Sequence, residues 1–429
     1  MSDEAVAQVV REEWGRLTAQ LLARFRRLDL VEDALGDAVE SATRTWREHG
    51  VPESPGAWLL TAACRRMLDR LRAEAVHQRR APLLLTEAER NRSGRGTIID
   101  PGGLVEDDTL RLVLLCTHPA LAPEAAAALS LRLVLGVSTH DIARLFLVPE
   151  PTMAARITRA KKKIVTAGIP FTVPGKEVLP HRLDTVAQTA YLAFTAGYAP
   201  GSGRDLLRAD LADEALRLVR TTLALQPGTT VLRALLALML LQHSRRDAGS
   251  GPDGALVLLP DQDRSRWRDG EITEGLDLLR SIDPRDPVTP QTASFLLQAR
   301  IAAEHATAPT SAETRWERIV AHYDALLSVM PSPAAELARA VAVAEAAGPA
   351  AGLRALEEVP DVGSHRPSAV RAELLRRTGR FAEARDAYRE SIRRCRNEAE
   401  VAHLAARLET LGTLRNEHGG AASGRRGSR

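Results

Sequence analysis

A chain of 429 residues is too long for one compact core and implies two or three domains. Apolar residues make up 45%, which excludes wholesale disorder, and with 3% aromatics and abundant Ala, Leu and Arg the mix favours helices packed through small side chains. A net charge of +3 names no partner by itself, so the distribution of charge along the chain has to.

The N-terminal MSDEAVAQ is polar and acidic, unlike a secretion signal. The longest apolar run, around VLRALLALMLL, is interrupted by Arg233 and falls short of the roughly 18 residues a membrane helix needs. Cys64, Cys116 and Cys395 lie far apart and form no CxxC pair, which fits a reduced, cytoplasmic setting without disulfides. Cys116 with His118 is the nearest thing to a ligand pair and reads as a buried thiol beside a helix-end histidine. No metal and no cofactor is expected.

Residues 1–80 carry helical periodicity. In LDLVEDALGDAVESATRTW, Leu35, Val39, Ala42 and Trp46 form an apolar stripe, with Glu32, Asp33, Asp37 and Glu40 mainly off it. Between Asp29 and Glu53 seven acids face two bases; between Leu60 and Arg80 six bases face two acids. An acidic helix followed by a basic one suggests partners of opposite charge, although solvated helix faces also carry charge runs. A linker over 81–107 follows, loosest in NRSGRGTIIDPGG.

A second helical unit spans 108–168. Within it, STHDIARLFLVPEPTMAARITRAKKKI opens with a capping box, Ser138 three residues before Asp141. Pro149 and Pro151 end one helix and start another within about four residues, which is helix-turn-helix spacing. Met153, Ile157, Ala160 and Ile164 recur at helical steps and form the buried stripe of the second helix. That leaves Thr152, Ala155, Arg156, Arg159, Lys162 and Lys163 on the other side. Arg can read guanine edges and small side chains can meet thymine methyls in a major groove, while the later lysines sit near phosphates. Cations at a helix C-terminus also suit the helix dipole, but the capped helix and tight turn ahead of them favour DNA.

Three pieces in order, VEDALGDAV, AWLLTAACRRMLDRLR and LVPEPTMAARITRAKKKI, resemble a bacterial extracytoplasmic-function sigma factor of the sigma-70 type over roughly the first 170 residues. LCTHPALAPEAAAALSLRLVLGVST and DQDRSRW are similar to the subgroup with a long helical C-terminal extension. The resemblance implies an all-α, non-enzymatic protein that directs promoter-specific initiation by core RNA polymerase. Region 2 would occupy 1–80 and region 4 would occupy 108–168. Glu32, Asp33 and Asp37 would dock on the clamp helices of the largest subunit, and the polymerase flap would be a further contact. Trp58, Arg65, Arg66, Asp69, Arg70 and Arg72 would engage the −10 element of double-stranded promoter DNA, with Trp58 serving packing more than base contact. Thr152, Ala155, Arg156, Arg159, Lys162 and Lys163 would read the −35 element. Gly36 and Val39 depart from the family, which usually has Gln and a large aromatic there. An autonomous helix-turn-helix regulator with a sensing domain is the alternative.

From 181 to 413 the sequence is again helical. AVRAELLRRTGRFAEARDAYRESIRR, with Leu374, Gly379, Ala382, Ala384, Ala387 and Tyr388, resembles one tetratricopeptide-type helix pair, and DEALRLVRTTLALQPGTTVLRALLALML and YDALLSVMPSPAAELARAVAVAEAAG echo it. A stacked superhelix offering a surface to a protein partner is expected. In VLLPDQDRSRWRDGEI, Asp261, Asp263, Arg264 and Trp267 suggest an interdomain clamp. No His, Cys or Gly-rich loop accompanies the two carboxylates, so catalysis is not expected. The small, basic residues 414–429 read as a disordered tail.

Overall fold

The computed structural model describes residues 3–80, 101–146, 148–198, 209–249, 251, 257–286, 288–361 and 363–423. The expected linker lies outside the described residues over 81–100, as do the tail residues 424–429. Among the described residues there are eighteen α-helices and no strand, so the chain is all-α. It divides into two compact units: Met1–Ala193 with Arg217–Gly228, and Phe194–Leu216 with Thr229–Arg429. The first unit contains both segments expected as small N-terminal domains, together with parts of two later helices.

In the first unit, α1 (Asp3–Phe25), α2 (Leu28–His49) and α3 (Pro55–Arg80) pack on one another. α2 buries Leu28, Val31, Ala34, Leu35, Ala38, Ala42 and Trp46; of the expected stripe Leu35, Ala42 and Trp46 are buried, while Val39 is half-exposed and Ala38 takes the inward position beside it. α3 answers with Leu59, Ala63 and Met67 at four-residue steps. α4 (Pro101–Cys116) begins inside the expected linker. Leu110 and the run Leu112 to Cys116 are buried on all sides, which makes α4 the central helix. α5 (Pro123–Leu133) starts with proline in its first turn and buries Ala126 to Leu131. α6 (Thr139–Leu145) and α7 (Glu150–Thr166) complete the helix-turn-helix. α8 (Leu179–Tyr198) belongs to this unit through Ala193, and the last half of α9 (Ala209–Leu225) belongs to it from Arg217. Arg182 donates to the Leu114 carbonyl and Arg217 to the Leu135 carbonyl, so both segments secure the α4–α5 core.

The second unit is a ladder in which each helix packs on the next. α10 (Thr230–His243) is buried from Val231 to Leu241 except at Arg233, and carries α11 (Asp269–Arg280) and α12 (Pro290–Thr307). α13 (Trp316–Val329), α14 (Pro333–Ala347), α15 (Pro349–Glu357), α16 (Arg366–Arg377), α17 (Phe381–Arg394) and α18 (Glu398–Ser423) follow. The α16–α17 pair has the expected form. Gly379 turns the chain with φ +77°, Ala384 and Tyr388 enter the core, and the Tyr388 hydroxyl donates to Glu373 at 3.0 Å. α18 runs on to Ser423, ten residues past the expected end of the domain at 413. Within the described residues no helix is long and apolar enough to cross a membrane.

Candidate nucleic-acid interface

The helix-turn-helix forms as its sequence requires. Ser138 caps α6 by accepting the Asp141 N–H at 3.0 Å, and its hydroxyl donates to the Asp141 carboxylate at 2.6 Å. Ile142 and Ala143 are buried, Pro149 stands at the cap of α7, and Met153, Ile157, Ala160 and Ile164 are the buried residues of α7. With that stripe used, Thr152, Ala155, Arg159, Lys162 and Lys163 are exposed and Arg156 is half-exposed. Arg159 Nε donates to the Ala155 carbonyl at 3.2 Å, which lays its stem along the outer face.

On α3, Arg65, Arg66, Asp69 and Arg72 are exposed, and Arg72 leans on Asp69 at 3.4 Å. Trp58 stacks edge-on against Trp46 with ring centroids 5.5 Å apart, in keeping with a packing role. Arg70 differs from the other arginines of this face. It pairs with Asp33 at 3.0 Å and Asp37 at 2.8 Å, so one expected −10 cation is held by two expected polymerase-docking acids. Arg27 likewise joins Asp29 at 2.7 Å to Glu74 of α3 at 2.8 Å.

Glu32 departs furthest from the sequence reading. It lies four residues after Leu28 and three before Leu35, which puts it on the buried side of α2, and it is 6% exposed. Arg132 of α5 donates to one of its oxygens at 2.6 Å, and Lys161 of α7 pairs with the other. Burial holds both cations below their ordinary pKa values. Trp14 of α1 covers the cluster: its indole N–H donates to the Arg132 carbonyl at 3.1 Å, and the Arg132 guanidinium lies 5.6 Å from its ring centre. Lys161 was legible as a stripe-edge residue, four after Ile157 and three before Ile164. Trp14 and Arg132 carry no local signal, because they meet Glu32 from distant parts of the chain.

The expected interdomain clamp lies within the second unit. Arg264 Nη1 donates to the carbonyls of His305 at 2.8 Å and Ala308 at 2.7 Å, at the C-terminal end of α12. Its guanidinium lies 4.4 Å from the ring centre of buried Trp267. Asp263 caps the short turn Arg264–Arg266 through the Ser265 N–H, and Asp261 is exposed. These residues hold a loop to a helix end, which a polar motif beside a tryptophan does not reveal.

Other polar clusters have structural explanations. Cys116 is fully buried, its thiol pushed up by burial, and His118 accepts the Ala120 N–H, so the two form no ligand pair. His365 Nε2 lies 2.8 Å from a Glu400 oxygen and Cys395 Sγ lies 3.6 Å from the same oxygen. Arg366 reaches the second Glu400 oxygen at 3.6 Å, so this carboxylate is already neutralised at a helix junction. His243, 1% exposed, lies between Asp213 at 3.2 Å and Glu271 at 3.1 Å, and Arg246 also pairs with Glu271.

Residues 111–164 match the family described as Sigma-70, region 4, and residues 182–282 match a family of unknown function, DUF6596. The chain is similar to the uncharacterized protein R00370 of Rhizobium meliloti (strain 1021), with 39% identity over 395 residues that cover 91% of this chain and 92% of that one. It also shows a slight likeness to the crystal structure of the yeast Tom70, at TM-score 0.35 and 11% identity over 96% of this chain and 85% of that one.

Proposed function

This chain belongs to one family with R00370 of Rhizobium meliloti and carries a sigma-70 region 4; from that premise we propose that it is a promoter-specificity subunit of RNA polymerase, of the extracytoplasmic-function type. It binds core enzyme, directs initiation at its own promoters, and is regulated through its C-terminal helical domain. The observation that carries this reading is the outer face of α7. Its apolar stripe is fully spent on the core, while Thr152, Ala155, Arg159, Lys162 and Lys163 are offered outward behind a capped helix and a proline turn.

Each part has a physical role. The first turns of α7 enter the major groove, where Arg156 and Arg159 read guanine and Thr152 and Ala155 meet thymine methyls. Lys162 and Lys163 contact phosphates and set affinity without reading sequence. Arg65, Arg66 and Arg72 on α3 meet the −10 region, and Asp33 and Asp37 on α2 dock on polymerase. The helical ladder of the second unit offers surface to a protein partner.

The test compares DNA binding with and without core polymerase. A promoter subunit binds its promoter weakly alone and tightly after core enzyme is added. Tight, sequence-specific binding without polymerase would instead identify an autonomous regulator. Cutting the chain after Gly175 is a poor test of the second unit's influence, because it removes the α8 and α9 segments that complete the first unit.

A further inference from the structure

Three ligand-type side chains converge at the end of the helical ladder. His365 stands at the N-cap of α16, Cys395 at the C-cap of α17, and Glu400 in the first turn of α18. Three successive helices thus bring an imidazole, a thiol and a carboxylate together at their ends. His365 Nε2 and Cys395 Sγ face the same oxygen, Glu400 Oε2, at 2.8 Å and 3.6 Å, and one ligand atom from each residue lies within 4.8 Å of the others. Among the described residues this is the one group of three such side chains so placed. The α16–α17 pair separates His365 from the other two in sequence, so no ligand spacing marks the group.

The three positions are fixed by the backbone around them. The buried Ser391 hydroxyl donates to the His365 carbonyl at 3.0 Å, and the Cys395 N–H donates to the Ser391 carbonyl at 2.9 Å, so one turn of α17 holds both. Asn397 Oδ1 accepts the N–H groups of Ala399 at 3.0 Å and Glu400 at 3.1 Å, which sets the first turn of α18. His365, Cys395 and Glu400 are half-buried, open enough for an ion to enter. Arg366 lies 3.6 Å from the other carboxylate oxygen, Oε1, which leaves Oε2 to His365 and Cys395; being exposed, its guanidinium can turn to solvent.

The spacing suits a tetrahedral ion. Zinc lies about 2.3 Å from sulfur and about 2.0–2.2 Å from nitrogen or carboxylate oxygen, so the edges of its tetrahedron are about 3.6 Å from sulfur to oxygen and about 3.4 Å from nitrogen to oxygen. The Sγ to Oε2 distance of 3.6 Å already matches. The imidazole has to draw back by about 0.6 Å, a small rotation about its two side-chain bonds. Thiolate and imidazole select zinc and its neighbours over magnesium and calcium, which take oxygen ligands. We propose that His365, Cys395 and Glu400 form a binding site for a divalent cation of the zinc class, with water as the fourth ligand, that ties α16, α17 and α18 together. On binding, the Cys395 thiol gives its proton to solvent, and the imidazole offers the Nε2 lone pair while its proton stays on Nδ1. The ligands meet only in the folded ladder, so the cation stabilises the second unit. The site stands independently of the promoter-subunit reading.

The experiment is a titration of cobalt(II), a coloured stand-in for zinc, into the full chain without a histidine tag and with its thiols reduced. The expected result is sulfur-to-cobalt charge-transfer absorption that saturates at one cobalt per chain, is abolished by added zinc and survives added magnesium. Cys395→Ser removes the band, Glu400→Gln weakens binding by at least about tenfold, and Cys64→Ser changes neither. Maleimide labelling of the wild-type chain, located by mass spectrometry, needs no variant to fold: saturating zinc blocks labelling of Cys395 and leaves that of Cys64 unchanged. A chain that gives no charge-transfer band at millimolar cobalt, or one in which zinc protects Cys64 and leaves Cys395 reactive, overturns the site.

Discussion

Replacing Arg264 separates a clamp inside the second unit from one that acts on transcription through other parts of the chain. Arg264 Nη1 satisfies two carbonyls at the end of α12, those of His305 and Ala308, while the guanidinium lies against Trp267. Helix-end carbonyls have no partner within their helix, and a charged donor to such a group contributes about 1.5–3 kcal/mol. The two bonds share one nitrogen, so their sum is below twice that value, and the cation–π contact adds about 0.5–1 kcal/mol. Arg264→Ala is therefore expected to destabilise the second unit by about 2–4 kcal/mol. Arg264→Lys, which keeps charge and loses the flat fork, should fall between. Urea unfolding followed by far-ultraviolet circular dichroism reads this directly, with the two units fitted as separate transitions. A loss under about 0.5 kcal/mol, the range of an ordinary surface substitution, combined with a fall in promoter output would refute the internal clamp and restore the interdomain one.

Four further outcomes are expected. Lys162→Ala with Lys163→Ala should lower the slope of log affinity against log salt by about 0.9 per lysine in promoter-binding titrations, with little change in stability because both are exposed. Met153→Ala, at a fully buried position, should cost the first unit about 2–5 kcal/mol in denaturant unfolding and abolish promoter binding with it. His305 is held down to about 4 by burial, so its contribution is whole above pH 6.5 and is lost as pH falls from there toward 4; His305→Gln should flatten that part of the pH–stability curve. Glu271, held at about 2 with His243 and Arg246 as partners, contributes above pH 4.5 and loses that contribution as pH falls toward 2, while His243, with its pKa raised, contributes below pH 6.5 and loses it as pH rises past its folded value; Glu271→Gln should remove the first dependence in the same measurement.

What the sequence revealed and what it hid follow from the range of the interactions. Helical periodicity is local, so the stripe Met153, Ile157, Ala160 and Ile164 was legible, as were Leu35, Ala42 and Trp46 of α2 and the Ser138 cap, which needs only three residues. The α16–α17 pair was legible through Gly379 and Tyr388, because a tight turn and one buried aromatic suffice to mark it. Charge counting misplaced Glu32, since an acidic run looks solvated until the partner of each carboxylate is known. Arg132 lies 100 residues away, and no spacing rule connects them. Arg70 was assigned to DNA through the resemblance of its helix, and its pairing with Asp33 and Asp37 of the preceding helix was not legible. The attachment of Arg182 and Arg217 to the α4–α5 core was not legible for the same reason: both bond to backbone carbonyls, acceptors that carry no side-chain signature.

The central claim is tested most directly by run-off transcription with purified core RNA polymerase on a library of genomic fragments, with and without the full chain. New discrete start sites that appear only with the protein, and share sequence near −10 and −35, are the predicted result. Unchanged start sites, with the protein binding specific DNA by itself, would contradict it.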